Sequence, residues 1–179
     1  IGTADDPYRN FIYTSFQEMA TYFSHKRTGA LAKNADNPAL AKICTVIASD
    51  ELRHGKAYMA FVEKILELDP NEMMLAFEDM MRKKIVMPAH YLRETGGQIG
   101  TAFVHFANAA QRLGVYTAKD YITIMESLLK EWKIENVRGL DDKGERARDY
   151  LLKLPQRLTR VVNRMNPIPE LNHKFSWVH

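Results

Sequence analysis

The stretch Ser49-Asp50-Glu51-Leu52-Arg53-His54 decides how the rest of this chain is read. Glu51 and His54 are three residues apart, and on a helix positions i and i+3 lie side by side. A carboxylate and an imidazole so placed can bind one metal ion. Helical bundles that hold two iron or manganese ions use this Glu-x-x-His pair, together with lone glutamates from facing helices. The surrounding residues predict a helix from about Pro38 to Leu68. Its inner stripe reads Cys44, Ile47, Glu51, His54, Tyr58, Phe61 and Ile65. Two ionisable groups thus interrupt an apolar stripe expected to face the core. A buried carboxylate needs a cation, a proton or strong hydrogen-bond donors. The plainer alternative is a surface pairing of Glu51 with Arg53 or a lysine.

Working outward, the preceding residues predict a helix from about Tyr8 to Lys33, with Glu18 at its middle. The Glu18 face also carries Phe11, Thr14, Ser15, Thr21, Tyr22 and His25, which makes Glu18 the natural facing carboxylate. Asn34–Pro38 is a turn in which Asn37 caps the next helix and Pro38 takes its first position. Asp69-Pro70-Asn71 ends that helix. A Met- and Phe-rich helix is predicted from about Glu72 to Met87, stopped by Pro88. Gly96, Gly97 and Gly100 mark a loop, and helix resumes from Thr101 to Leu113. Gly114 closes it. Thr117 caps a helix to about Val137, and Asp141 or Asp142 opens another to about Met165. The tail, with Pro167 and Pro169, reads as extended. No alternating strand pattern competes, so the fold class is all-α, with long antiparallel helices and short links.

The chain has 179 residues, 46% apolar and 26% charged, which suits one domain with a real core. A net charge of +3 is too weak to argue for nucleic acid. Cys44 is the single cysteine, which excludes a disulfide framework and any cysteine-based zinc or iron–sulfur site. A reducing compartment is expected. No run approaches the length of a membrane span. The opening Ile1-Gly2-Thr3-Ala4-Asp5-Asp6-Pro7 has no initiator Met or signal peptide and reads as the interior of something longer.

Oxygen and imidazole donors suit iron or manganese, whereas zinc prefers more nitrogen or sulfur. A second Glu-x-x-His, Glu170 to His173, lies in the Pro-flanked tail and lacks a long helix and a facing carboxylate. His25, His90 and His105 have no carboxylate at ligand spacing on their own face and are expected to be packed or on the surface. Gly96–Gly100 fits no nucleotide-binding pattern. Arg82-Lys83-Lys84 and the run Arg157, Arg160, Arg164 are read as solvated faces that can also receive an acidic partner.

Longer matches then add to this reading. Phe11-Ile12-Tyr13-Thr14-Ser15-Phe16-Gln17-Glu18 and Asp50-Glu51-Leu52-Arg53-His54 resemble two helix signatures of the soluble acyl-carrier-protein (ACP) desaturases. Leu75–Ile85, Met87-Pro88-Ala89-His90, Ala110–Tyr121 and Phe175-Ser176-Trp177 are similar to later segments of that family, so the resemblance covers nearly the whole chain. It implies a ferritin-like diiron bundle that uses O2 and two electrons from ferredoxin. The reaction is insertion of a cis double bond into a fatty acyl chain held on ACP. It further implies that Glu18, Glu51 and His54 bind iron, that Thr21 relays protons and that Asp50 orients the iron-bound histidine for electron entry. On the same basis Asn10, Phe11 and Gln17 meet the substrate, while Arg53 and Lys56 meet acidic ACP. A homodimer in the bacterial cytoplasm, or in the plastid stroma of a plant, is expected from the family, with no nucleic-acid or membrane partner.

Three departures qualify that resemblance. The family's other lone glutamate and first Glu-x-x-His precede Tyr8 and are absent, so residues 1–179 are expected to be the C-terminal portion of one domain. Asn10 stands where plant members usually carry glycine. The Arg93–Gly100 loop differs in sequence and length. Two other functions remain open: a non-catalytic acyl-ACP-binding homologue or inactive fragment, and another diiron bundle such as an oxidase or a radical-bearing subunit with Tyr22 or Tyr58 near the irons.

Overall fold

Proline opens each of the first three helices, where its missing N–H costs no hydrogen bond. In the computed structural model, which describes residues 2–91 and 101–166, α1 spans Pro7–Asn34, α2 Pro38–Leu68 and α3 Pro70–Lys83. A 3-10 turn follows at Pro88–Tyr91. Then come α4 (Thr101–Arg112), α5 (Ala118–Glu131), a second 3-10 turn (Ile134–Asn136) and α6 (Asp142–Val162). No strand occurs among the described residues, in keeping with the all-α expectation. The caps are local and strong. Asp6 accepts from the backbone N–H of Tyr8 (2.9 Å) and Arg9 (3.1 Å). Asn37 accepts from Leu40 at 3.1 Å. Thr117 and Asp120 form a reciprocal capping box, and Asp141 caps Lys143 and Gly144.

Helix ends set by tertiary contacts differ from the sequence reading. The third helix begins at Pro70 and stops at Lys83, short of Met87. Lys84 turns to φ +61. Beyond it the Ile85 N–H donates to Tyr121 Oη at 3.3 Å, so a contact with α5 draws the chain off the helix axis. The fifth helix stops at Glu131 rather than near Val137, because Lys133 takes a left-handed conformation. Trp132, buried beside it, donates from Nε1 to the Met59 carbonyl at 3.1 Å. The fourth and sixth helices end at Arg112 and Val162, and Gly114 takes φ +67 just past α4. The Arg93–Gly100 loop, Glu170, His173 and Phe175–Trp177 lie outside the described residues.

The first two helices form an antiparallel hairpin, the most extensive helix pair in the chain. They approach closely at two glycines. A Cβ at position 29 would come within 3.1 Å of Cys44 Cβ, and one at position 55 within 3.1 Å of Met19 Sδ and 3.5 Å of Glu18 Cβ. Across this hairpin pack α3 and α5, and α6 packs on those two in turn. Ile12, Phe16, Met73, Met74, Phe77, Met80, Met125, Leu128 and Leu151 fill the common core. The Met-rich third helix is core, with Met73, Met74, Phe77, Met80 and Met81 all buried.

The buried positions of α2 are Cys44, Ala48, Gly55, Val62 and Leu66. This corrects the predicted stripe: Phe61 is 51% exposed and the His54 side chain 57%. Small residues at 48 and 55 seat α2 directly on α1. That rotates Glu51, His54, Tyr58 and Phe61 to the side of the seam instead of its floor.

Candidate metal centre

Glu18 sits near the middle of α1 and Glu51 and His54 near the middle of α2. The antiparallel hairpin brings residues more than thirty apart in sequence to one level. One donor atom from each of Glu18, Glu51 and His54 lies within 4.8 Å of the others, and this is the only such group of three among the described residues. His54 Nδ1 is 3.4 Å from Glu18 Oε2 and 4.0 Å from Glu51 Oε2. Glu18 Oε2 is buried and, that approach of His54 aside, has no hydrogen-bond partner among the described residues. Burial pushes the Glu18 carboxyl up to about 7, and the neighbouring Glu51 carboxylate adds to the rise while His54 opposes it. Two carboxylates held together without a cation repel, and one of them then keeps a proton.

The surface alternative for Glu51 is therefore not what the fold builds, since the cation beside it takes another partner. Arg53 pairs with Asp50 one turn earlier on α2. Asp50 thus directs its carboxylate to a guanidinium at the surface. Thr21 lies one turn past Glu18, and its hydroxyl donates to the carbonyls of Gln17 (3.1 Å) and Glu18 (3.0 Å). Asn10 is exposed and donates from its amide to the Asp6 carbonyl at 2.9 Å. Gln17 is partly buried on α1, and Lys56 is exposed on α2. Of the histidines set aside above, His90 meets Phe103 and Tyr91 edge-to-face, while His25 and His105 are partly buried.

Phe11 is half-buried seven residues before Glu18, and in an antiparallel pair that level matches the residues after His54. Its ring meets Tyr58 at 6.2 Å and Phe61 at 5.7 Å, and those two rings meet each other at 6.0 Å. An aromatic wall therefore continues the Glu18–Glu51–His54 face along the seam. The sequence reading placed Tyr58 and Phe61 on the stripe but did not join them to Phe11. Their spacing of four and seven from His54 was the signal. Gly55 was passed over as well. Being the residue next to His54, it lets α2 come close enough for Glu18 to reach the pair.

The class this geometry defines is a helical protein with a carboxylate–histidine donor set of the kind that could hold a metal ion. The sequence matches the family described as fatty acid desaturase over residues 1–179, and the chain belongs to that family. The family fold is a ferritin-like helical bundle. The chain is 51% identical over 180 residues to the chloroplastic stearoyl-[acyl-carrier-protein] 9-desaturase of Ricinus communis, covering 98% of this chain and 44% of that protein. With the Gossypium hirsutum enzyme of the same description it shares 49% over 179 residues (98% of this chain, 45% of the relative). With palmitoyl-[acyl-carrier-protein] 4-desaturase 3 of Ophrys sphegodes it shares 47% over 180 residues (99% and 45%). The chain spans slightly less than half the length of these relatives.

Proposed function

We propose that residues 1–179 form part of a single ferritin-like domain of an O2-dependent acyl-ACP desaturase, in which Glu18, Glu51 and His54 hold iron. The observation that carries this reading is the buried Glu18 Oε2 facing Glu51 and His54, in a chain of the fatty acid desaturase family. The donor set fits the metal: two carboxylates and an imidazole suit iron, and a cation relieves the repulsion that otherwise leaves a proton on Glu18. Bound iron supplies the O2-dependent oxidising power that no side-chain acid or base has against an unactivated C–H bond.

The chain's own residues do the rest. Glu18 and Glu51 present anionic oxygens from facing helices, and His54 closes the set from the exposed side. Gly55 and Met19 hold the two helices at the spacing that keeps the carboxylates together. The Thr21 hydroxyl, one turn from Glu18, can exchange its backbone partner for a proton-transfer role. Asp50, held by Arg53, links the His54 turn to the surface where an electron donor of ferredoxin type arrives. Phe11, backed by Tyr58 and Phe61, supplies an apolar wall for the acyl chain, with Asn10 and Gln17 at neighbouring positions on α1. Arg53 and Lys56 face acidic partner proteins. A homodimer in a reducing compartment completes the reading: the bacterial cytoplasm, or the plastid stroma should the chain come from a plant. The one thiol, Cys44, is buried.

Iron per polypeptide after anaerobic loading tests the centre. The wild-type chain should take up iron, and Glu51→Ala should lower its affinity at least about tenfold while leaving helix content unchanged. Equal uptake by the variant would remove Glu51 from the centre. Desaturation assayed on acyl-ACP tests the activity separately.

A further inference from the structure

The basic run on α6 takes no part in the metal centre. Residues 150–166 carry Lys153, Arg157, Arg160 and Arg164 and no acidic residue, whereas the whole chain's net charge is only +3. Charge that the rest of the chain nearly cancels is concentrated here. Steps of four and three residues put Lys153, Arg157 and Arg160 on one face of the helix, Arg164 follows in the turn just past Val162, and all four are exposed. The opposite face is committed, since Ala147, Leu151 and Leu154 are buried in the core.

At the edge of the stripe, two guanidinium groups share the Tyr150 ring. Arg82 Cζ, from the end of α3, lies 3.9 Å from the ring centroid, and Arg157 Cζ lies 5.9 Å from it. Arg82 is neutralised by Glu78, whose Oε1 accepts from Nε at 2.9 Å and Nη2 at 2.6 Å. Lys153 pairs with Asp149 at 3.1 Å. Arg157, Arg160 and Arg164 have no carboxylate within ion-pair distance among the described residues. Among the described residues, Arg157 and Arg160 on this face and Arg164 in the turn beyond it are thus left without a carboxylate partner.

We propose that the C-terminal end of α6 and the turn after it, from Arg157 to Arg164 with Arg82 and Tyr150 at the edge, dock an acidic helix of the carrier protein that presents the acyl substrate. The inference rests on the desaturase reading. Guanidinium forks match carboxylates two bonds at a time. Arginines at steps of three and four complement a partner helix bearing carboxylates at the same steps. Val161 and Met165, 61% and 54% exposed, lie among the arginines and offer apolar contact. A membrane surface would need the apolar face of α6, which the core already occupies. An electron donor would need to be close to the irons. Instead α6 packs on α3 and α5, while the carboxylates lie between α1 and α2. A long acyl chain tolerates that separation better than electron transfer does.

The test is binding of acyl-ACP to the full chain, read by fluorescence anisotropy at low and high salt. Arg157→Gln/Arg160→Gln/Arg164→Gln should weaken binding about tenfold or more and flatten its salt dependence. Arg160→Gln alone should fall between, and Lys33→Gln/Lys42→Gln should bind as wild type. All these positions are exposed, and circular dichroism checks that each variant folds. Unchanged affinity in the triple variant, with binding lost in Arg53→Gln/Lys56→Gln, overturns the inference and leaves the desaturase reading standing. So does an α6 face that responds only to ferredoxin or to anionic vesicles. No binding of acyl-ACP by the wild type would overturn both.

Discussion

Glu18 Oε2 is buried and next to a second carboxylate, with His54 Nδ1 no nearer than 3.4 Å, so a metal-free chain holds a proton there around neutral pH. Its folded value, about 7, lies above its ordinary 4.5. The folded form therefore keeps a proton that the unfolded chain has already released. The stability this contributes is complete below the ordinary value and is lost as pH rises through about 7. The metal-free wild type should therefore lose urea midpoint with rising pH across that window, relative to Glu18→Gln, which has no such proton to release. Parallel pH profiles for the two would show that Glu18 is not strained. Metal must displace the same proton, so iron affinity should tighten about tenfold between one pH unit below and one above that value. A calorimetric titration in buffers of different ionisation heat would count the proton.

Between elements, the clearest polar link is Arg27 on α1 with Asp120 on α5. Two N–H groups of Arg27 donate to the two Asp120 oxygens, each at 2.6 Å, and Arg27 also donates to the Val115 carbonyl at 3.3 Å. Asp120 accepts from Thr117 as well, so one carboxylate caps α5 and ties the α4–α5 turn to the long hairpin. Burial pushes the Asp120 carboxyl up, but the Arg27 and Thr117 hydrogen bonds outweigh it and hold it below its ordinary value. Its contribution is present above the ordinary aspartate range and is lost as pH falls through the depressed folded value. Asp120→Ala should cost about 2–3 kcal/mol at neutral pH, with the unfolding midpoint less sensitive to acid than in wild type. A loss below about 0.5 kcal/mol would mean that water replaces the carboxylate at Arg27. The same scale shows which boundaries were legible. Helix starts at Pro7, Pro38, Ala118 and Asp142 are written in their caps, within a few residues. The ends at Lys83 and Glu131 are not, because Tyr121 Oη and the Met59 carbonyl, which draw the chain away, come from elsewhere in the fold.

For the whole molecule, α3 is the keystone, packed on α1, α2 and α6. Phe77 at its centre is 1% exposed and meets Trp132 edge-to-face at 5.2 Å. Phe77→Ala should cost about 3–5 kcal/mol, by lost transfer energy plus the cavity left behind. The melting temperature should fall accordingly, and iron binding should survive below the transition, since Phe77 does not touch the centre. Iron binding lost while the chain is still folded would mean that the core sets the carboxylate spacing directly.

The sequence by itself determined the helices and the resemblance that family membership bears out, and it singled out Glu18, Glu51 and His54 as candidate donors. Helix formation and capping depend on neighbours a few residues away, and ligand identity is a property of single side chains. Only the tertiary structure decided that the three donors meet, that His54 opens to one side and that Arg53 takes Asp50 rather than Glu51. Those outcomes depend on the register and rotation of two helices pressed together at Gly29 and Gly55. There, what matters is the absence of a side chain and the shape of the partner opposite. A stripe counted along α2 alone carries no information about which of its edges α1 will cover.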